Sequence, residues 1–567
     1  MLNGLAQDVP TLMQWSWGDI EPYYRELESR SLHSGNVAEF LADWTALNDC
    51  VDELGSRLYV ATTVNTADAE AEGRYRAYLE EIEPAFEAAE QRLREKLLDS
   101  GLEPAGMALP LRKMRVAAEI FREENLPLFT EEGKTAIEYN KIIGAQTVQW
   151  EGKEITISQL AMVYQDTDRA RREAAWRLAS ARQLADREAI NALWQRFLAL
   201  RREMAANAGF PDYRAFRWQQ RTRFDYTPED CATFHRAIEE VVVPAAARIY
   251  ERRRRRLGLP TLRPWDLDVD PLARPPLTPF RDVAELRHKA ATIFYRVDPQ
   301  LGEYFATMVR ENLLDLENRK DKAPGAYSIA FWMSRRPFIF GNAVGRHDDV
   351  QTLLHESGHA FHAFERMNLP YYQQRPAGAE MHEVASMAME LLAAPYLPAS
   401  EGGFYSTPDA ARARVEHLER SILFWPYMAV VDAFQHWVYE NPEAAMDPAS
   451  CDECWAGLWR RFMVGVDWSG LEEAMKTGWQ RKHHIHKWPF YYVEYGLAQL
   501  GSVQVWANAL QDQAGAVARY RRALALGGTA SLPELYAAAG ARFAFDAGTL
   551  GRAVALMEQT IAALEGE

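Results

Sequence analysis

Four cysteines in 567 residues are too few and too scattered to frame a disulfide-stapled fold. Cys451 and Cys454 form a C-x-x-C, but no second such pair exists to complete a zinc site. The adjacent Asp452 and Glu453 would raise a thiol pKa rather than lower it, so the pair reads as free structural thiols. No window reaches the roughly 18 uninterrupted apolar residues that a membrane span needs. Residues Met1 to Asp8 lack the basic start and apolar core of a secretory signal, and a cytoplasmic protein is expected. Basic excess is missing too. A net charge of −16 repels phosphate backbones, so nucleic acid is not an expected partner. The local exception, Arg252 to Arg256, reads as a solvated helix end that the general acidity neutralises. Repeats and low-complexity tracts are also absent. A chain of this length, 48% hydrophobic and 25% charged, can bury a large core in several domains or lobes.

What the sequence has in abundance is helix formers. Residues 66–100 and 166–207 are rich in Ala, Leu, Glu and Arg, with apolar residues at three- and four-residue spacing. Thr147 to Ser158 alternates enough, around the turn Glu151-Gly152-Lys153, to predict a hairpin. A second β-prone pair covers Ala326 to Met333 and Pro337 to Asn342. Breakers cluster at 257–279, an irregular connection that Trp265 and several leucines can anchor.

Residues 349–364, DVQTLLHESGHAFHAF, predict a helix capped by Asp348 or Asp349 and striped by Val350, Leu353, Leu354, Phe361 and Phe364. Inside it His355, Glu356 and His359 spell H-E-x-x-H. Four residues exceed one turn only slightly, so both imidazoles leave one face at a separation suited to a single tetrahedral zinc. Glu356, about 100° round the helix, stands beside the metal, where it can take a proton from water. Composition alone predicts roughly 0.04 such matches in a chain with 13 His and 80 Asp and Glu, so a chance string is a poor account. His362, one turn on, is read as a packed histidine and left out of the ligand set.

A catalytic zinc needs a third protein ligand. Residues 381–392, MHEVASMAMELL, form a helix apolar nearly all round except for Glu383 and Glu390, seven apart on one face. Carboxylates there must be paired or coordinated. Glu383, 24 residues after His359, is the candidate third ligand, and Glu390 the candidate that orients a ligating histidine. Residues 483–497, HHIHKWPFYYVEYGL, gather three histidines with Tyr491, Tyr492 and Tyr495. These are donors for an oxyanion or, equally well by sequence, the wet aromatic face of a buried helix.

At these residues the chain resembles the thimet oligopeptidase and oligoendopeptidase F family of zinc metallopeptidases, and most of all its bacterial Pz-peptidase-like members. HESGH and Glu383-Val-Ala-Ser-Met-Ala-Met-Glu390 are similar to the family's H-E-x-G-H and E-x-x-S-x-x-x-E, with Ala385 where proline is frequent. PFIFGNAVGRHDD (337–349) and LRPWD (262–266) look like further family elements. The resemblance implies a mainly α fold: a two-lobed helical ellipsoid enclosing a deep substrate channel, with zincin-type active-site helices and only small β elements. It implies an N-terminal helical region at 1–110, an oligoendopeptidase-type helical region at 111–205 and a catalytic zinc peptidase region at 206–567. It also implies a cytoplasmic metalloendopeptidase of peptide catabolism, with one Zn²⁺ per chain and short peptides as substrates. By the family's histidine and F-Y-Y-x-x-Y, His484, Tyr492 and Tyr495 fit the oxyanion donors best. Tyr491 is the uncertain neighbour, and His483 and His486 compete with His484. One rival is an aminopeptidase on the same motif; another is a non-catalytic binder, which would have no need of Glu356.

Overall fold

Ala-, Leu- and Glu-rich stretches become helix, and at two prolines the ladder loosens visibly. Residues 66–100 form the helices Ala69–Ala77 and Glu83–Asp99, joined by a π-helical turn at Tyr78–Ile82. Pro84 follows that turn after one residue, Glu83. It brings no N–H to the ladder, and the register opens by one residue just before it. The same device recurs at Ile238–Val242, ahead of Pro244. The 166–207 stretch divides into Arg169–Ala185, capped by Asp168, and Arg187–Asn207. This computed structural model describes residue 2 and residues 4–566; Met1, Asn3 and Glu567, which the regions above include, lie outside the described residues.

The architecture is mainly helical with two small sheets, and it divides into two compact units, each assembled from three separate stretches of chain. The first unit comprises residues 1–118, 277–414 and 498–543. Its N-terminal core packs Leu12, Ile20, Tyr24, Phe40, Trp44 and Leu93, and the buried Glu90 accepts from Tyr24 Oη and Trp44 Nε1, both at 2.7 Å. The second unit comprises residues 119–276, 415–497 and 544–567.

Among the described residues, four of the five strands fall in the two expected pairs. In the second unit β1 (Thr147–Trp150) and β2 (Lys153–Thr156) form the expected antiparallel hairpin. Glu151 and Gly152 turn it with φ of +50° and +77°, the left-handed pair that a two-residue turn requires. In the first unit β4 (Tyr327–Phe331) and β5 (Arg336–Ala343) are the expected pair. A third strand not foreseen, β3 (Leu314–Glu317), lies parallel on the other side of β5. Lys322, fully buried, holds β3 and β5 together by donating to Asp315 Oδ1 at 2.9 Å and to the Gly341 carbonyl. Phe331, Phe338 and Phe340 fill the sheet's core with Val60 and Val64.

Two helices of the first unit, α1 (His347–Arg366) and α2 (Ala379–Ala393), pack against each other, and α1 also covers β4 and β5. The expected cap of α1 is corrected in detail. Arg346 is the N-cap, and Asp349, three residues in, accepts from the N–H groups of Arg346 and Val344, both at 2.8 Å. Asp349 therefore serves the helix start from within its first turn, which also suits the helix dipole.

The arginine run ends the Val243–Arg256 helix, but only Arg255 is strongly exposed. Arg252 and Arg256 pair with Glu419 and Glu565, and Arg253 caps the carbonyls of Asp266 and Val269. Packing, not solvent, takes up most of this charge. Among the described residues no helix is long and apolar enough to cross a membrane.

Candidate metal centre

Close approach of two helices makes the site possible. A Cβ at Gly358 would stand 2.4 Å from the Ala385 carbonyl oxygen and 2.6 Å from Ser386 Cα, so only glycine lets α1 lie this near α2. Tyr520 then fixes that stretch of α2 by donating to the same Ala385 carbonyl at 2.6 Å. The approach sets His355 and His359 of α1 opposite Glu383 of α2.

Ligand atoms of His355, His359 and Glu383 lie within 4.8 Å of one another. Glu383 Oε2 is 3.7 Å from His355 Nε2 and 4.0 Å from His359 Nε2. Those gaps are too long for hydrogen bonds, while a tetrahedral zinc with bonds of about 2.0–2.1 Å would hold such atoms about 3.3 Å apart. Glu390 Oε1 lies 2.7 Å from His355 Nδ1, which keeps a proton on Nδ1 and turns Nε2 inward. Ser386 Oγ donates to the Glu383 carbonyl at 3.0 Å and stands 3.4 Å from its Oε2, so the serine of E-x-x-S steadies the carboxylate. The donor set fits zinc: two imidazoles and one carboxylate on two rigid helices, with a second carboxylate behind the first imidazole; a metal would take the place of the proton that His355 otherwise carries on Nε2 at neutral pH.

Glu356 is buried beside this trio. Burial pushes its carboxyl up, nearby Glu383 and Glu390 add to the rise, and His355 opposes it, leaving it at about 7. The backbone N–H of Ser328 on β4 favours its ionised form, an influence the sequence gave no hint of. Burial lowers His355, but the hydrogen bond and charge of Glu390, with Glu383 and Glu356, more than reverse this and hold it at about 9. His359 is held well below its usual value by burial and by His355. A carboxyl poised near neutrality next to imidazoles that aim at one point can exchange protons with water held there. A small cavity beside Glu356 is lined by Phe340 to Ala343 of β5 and by Thr352 and Leu353 of α1.

His362 is fully buried, its ring 4.6 Å from that of His382, and it is not among the grouped ligands. His382 in turn faces Arg366 at 3.2 Å, and burial pushes it down to about 3. Among the described residues neither is grouped with the trio.

The tyrosine cluster belongs to the second unit. His484 sits with its ring 4.9 Å from Tyr492, 5.8 Å from Tyr495 and 6.0 Å from Tyr491. Burial, reinforced by Lys482, pushes it down to about 4, so it is a neutral imidazole. His486 instead stacks on Tyr139 at 4.4 Å and is fully buried, and His483 meets Tyr139 edge-on. Of the three histidines, only His484 joins the tyrosines. Lys482 Nζ, lowered by burial to about 8, donates to Tyr492 Oη at 2.8 Å. Pro489 and Phe490 break the helix between His483–Lys487 and Tyr492–Ala509, and Phe490 takes φ +62°. Arg223, whose guanidinium donates to the Phe490 carbonyl, holds that break, and Glu494 joins Arg223 to Arg221.

The C-x-x-C thiols form no disulfide. Burial pushes both up to about 12, and Cys451 donates to the Ala445 carbonyl at 3.3 Å.

The sequence profile of peptidase family M3 matches residues 162–553. No curated protein matches the chain. Among solved structures it is similar to Pz peptidase A with an inhibitor, at 25% identity and a TM-score of 0.85, over 98% of each chain. It is similar to a protein assigned as oligoendopeptidase F, at 26% identity and a TM-score of 0.84, over 99% of this chain and 98% of that one. A further protein assigned as oligoendopeptidase F, from Bacillus anthracis, shares the fold at 23% identity and a TM-score of 0.82, over 97% of each chain.

Proposed function

Since the chain belongs to peptidase family M3, a family of metallopeptidases that hydrolyse peptide bonds, we propose that it is a zinc-dependent oligoendopeptidase cleaving internal bonds of short peptides. The observation that carries this reading is the convergence of His355, His359 and Glu383, with Glu390 behind His355 and Glu356 alongside. When bound, zinc supplies a Lewis acid for the scissile carbonyl and for water.

Glu356 takes the proton of the attacking water and passes it to the leaving amine. Burial sets its poise near 7, and a dication next to it would favour the ionised form that acts as base. Glu390 holds the His355 tautomer, and Ser386 steadies Glu383. Tyr492 and Tyr495, with neutral His484, are the oxyanion donors; this assignment rests on the family resemblance of H-x-x-x-x-x-F-Y-Y-x-x-Y. Lys482 supports it for Tyr492, because a cation donating to the phenol oxygen makes that phenol a stronger donor in turn. The restriction to short peptides likewise rests on the resemblance.

The test uses an internally quenched peptide blocked at both ends, which an aminopeptidase cannot cut. Wild-type chain cleaves it. Glu356→Gln is expected to keep the wild-type zinc content and lose turnover, since it removes the base and leaves all three ligands. Activity within tenfold of wild type would remove Glu356 from the role of general base.

A further inference from the structure

Four side chains with metal-binding chemistry meet in the second unit, and the reaction proposed above uses none of them. Cys231 and His235 lie one helical turn apart on Pro228–Ala237, and Asp432 and His436 one turn apart on the helix that ends at Glu440. Ligand atoms of Cys231, Asp432 and His436 all lie within 4.8 Å of one another. Cys231 and Asp432 are completely buried, and His436 is nearly so at 8% exposure.

A bland account makes Asp432 an anionic pin between two histidines. Its Oδ2 does lie 2.9 Å from His235 Nε2 and 3.3 Å from His436 Nε2. Yet Asp432 Oδ1 and His436 Nε2 make no hydrogen bond. Buried polar atoms left in that state cost stability and call for an explanation. A cation shared by the carboxylate, the imidazole and the nearby sulfur explains both atoms at once.

We propose that Cys231, Asp432 and His436 bind a second transition-metal ion, zinc by the chemistry of the donors, with His235 orienting Asp432 from behind. A thiolate beside an imidazole and a carboxylate is a borderline-soft set that selects zinc over magnesium or calcium. Thiolate and carboxylate together neutralise a dication, which a water-excluded site demands. With Nε2 on the metal, the ring proton of His436 moves to Nδ1. Arg214, 3.3 Å from that nitrogen, is then held by Glu440, to which it already donates. Full burial makes this a structural site that ties the Pro228–Ala237 helix to the residues around Asp432.

Cobalt is the probe, because thiolate-bound Co²⁺ has a near-ultraviolet sulfur-to-metal charge-transfer band that the His355, His359 and Glu383 set cannot give. Full-length chain produced with Co²⁺ as the only added metal is expected to hold two ions and show the band. His359→Ala is expected to hold one fewer and keep the band, which separates this site from the first. Cys231→Ser is expected to lose the band and one ion, while Cys454→Ser keeps both. Absence of the band from the wild-type chain overturns the proposal, whatever the ion count, and so does a band that survives Cys231→Ser. Should Cys231→Ser fail to fold by circular dichroism, His436→Gln is read instead: loss of one ion supports the site, and full retention overturns it.

Discussion

A carboxylate shielded from solvent has few ways to be stable, and Glu383 and Glu390 of α2 use different ones. Glu390 meets an imidazole N–H at 2.7 Å, whereas Glu383 faces the Nε2 atoms of two imidazoles across gaps of 3.7 and 4.0 Å. Their substitutions should therefore differ in kind. Glu383→Ala is expected to lose one zinc per chain relative to wild type, together with activity. Glu390→Gln should retain a site whose zinc affinity falls about 10–100-fold, the usual cost of losing a group that holds a ligand in place. Competition with a chromogenic chelator measures both; equal affinities for wild type and Glu390→Gln would remove Glu390 from its role. Among the tyrosines, Tyr492→Phe or Tyr495→Phe is expected to lower kcat about 10²–10³-fold with little change in KM, because an oxyanion contact is realised in the transition state. Tyr491, whose ring lies under the Arg221 guanidinium at 4.8 Å, should tolerate Phe. Steady-state kinetics of the three variants on one peptide decides it. Losses under about threefold for both Tyr492→Phe and Tyr495→Phe would make the cluster structural.

At the scale of elements, the glycine of HESGH does as much for the centre as its ligands. It is the point where α1 and α2 touch, and it has no room for a methyl group: the nearest obstacles are backbone atoms of α2, which cannot swing aside as a side chain can. Gly358→Ala raises helix propensity and would stabilise an isolated helix by up to about 1 kcal/mol. Here it should instead push the helices apart, costing about 1–3 kcal/mol or more as overpacking does. A lower melting temperature and weakened zinc binding in the same variant are expected by calorimetry and chelator competition. A Gly358→Ala chain as stable as wild type would show that the helices have slack. The sheet contributes from the other side of α1, where β4 presents the Ser328 N–H to Glu356.

Across the whole molecule, each unit carries a carboxylate, fully buried in one and half-buried in the other, clamped by basic groups. In the second unit Asp266 is fully buried; burial would raise its carboxyl, but hydrogen bonds from Arg169, the Arg263 backbone and Arg172 prevail and hold it below the usual range. In the first unit Asp315 behaves alike, with Arg319 and Lys322 outweighing burial. A carboxyl lowered in the folded state stabilises fully above its unfolded pKa of about 3.9, and that stabilisation fades as pH falls toward the folded value. Urea midpoints should therefore drop as pH goes from about 5 to about 3. Asp266→Asn should start lower at neutral pH and fall less steeply over that interval. Parallel curves for the two proteins would mean Asp266 is not a source of the acid sensitivity.

The sequence by itself determined the helical class, because Ala, Leu, Glu and Arg at three- and four-residue spacing leave the backbone little choice. It also singled out His355, His359 and Glu383, the three candidate ligands that the structure brings together, because H-E-x-x-H on one helix face and an isolated glutamate in an apolar helix are local patterns with few meanings. The hairpin at Thr147–Thr156 was legible for the same reason, its turn being written in Glu151 and Gly152. Tertiary structure alone decided what depends on residues far apart in the chain. It placed β3 beside β5, a parallel pairing that no local pattern marks. It brought Ser328 to Glu356, selected His484 over His483 and His486 by burying the latter against Tyr139, and absorbed the arginine run into ion pairs with Glu419 and Glu565. Spacing along a helix fixes which side chains share a face; which partner meets that face is settled only when the separate stretches pack.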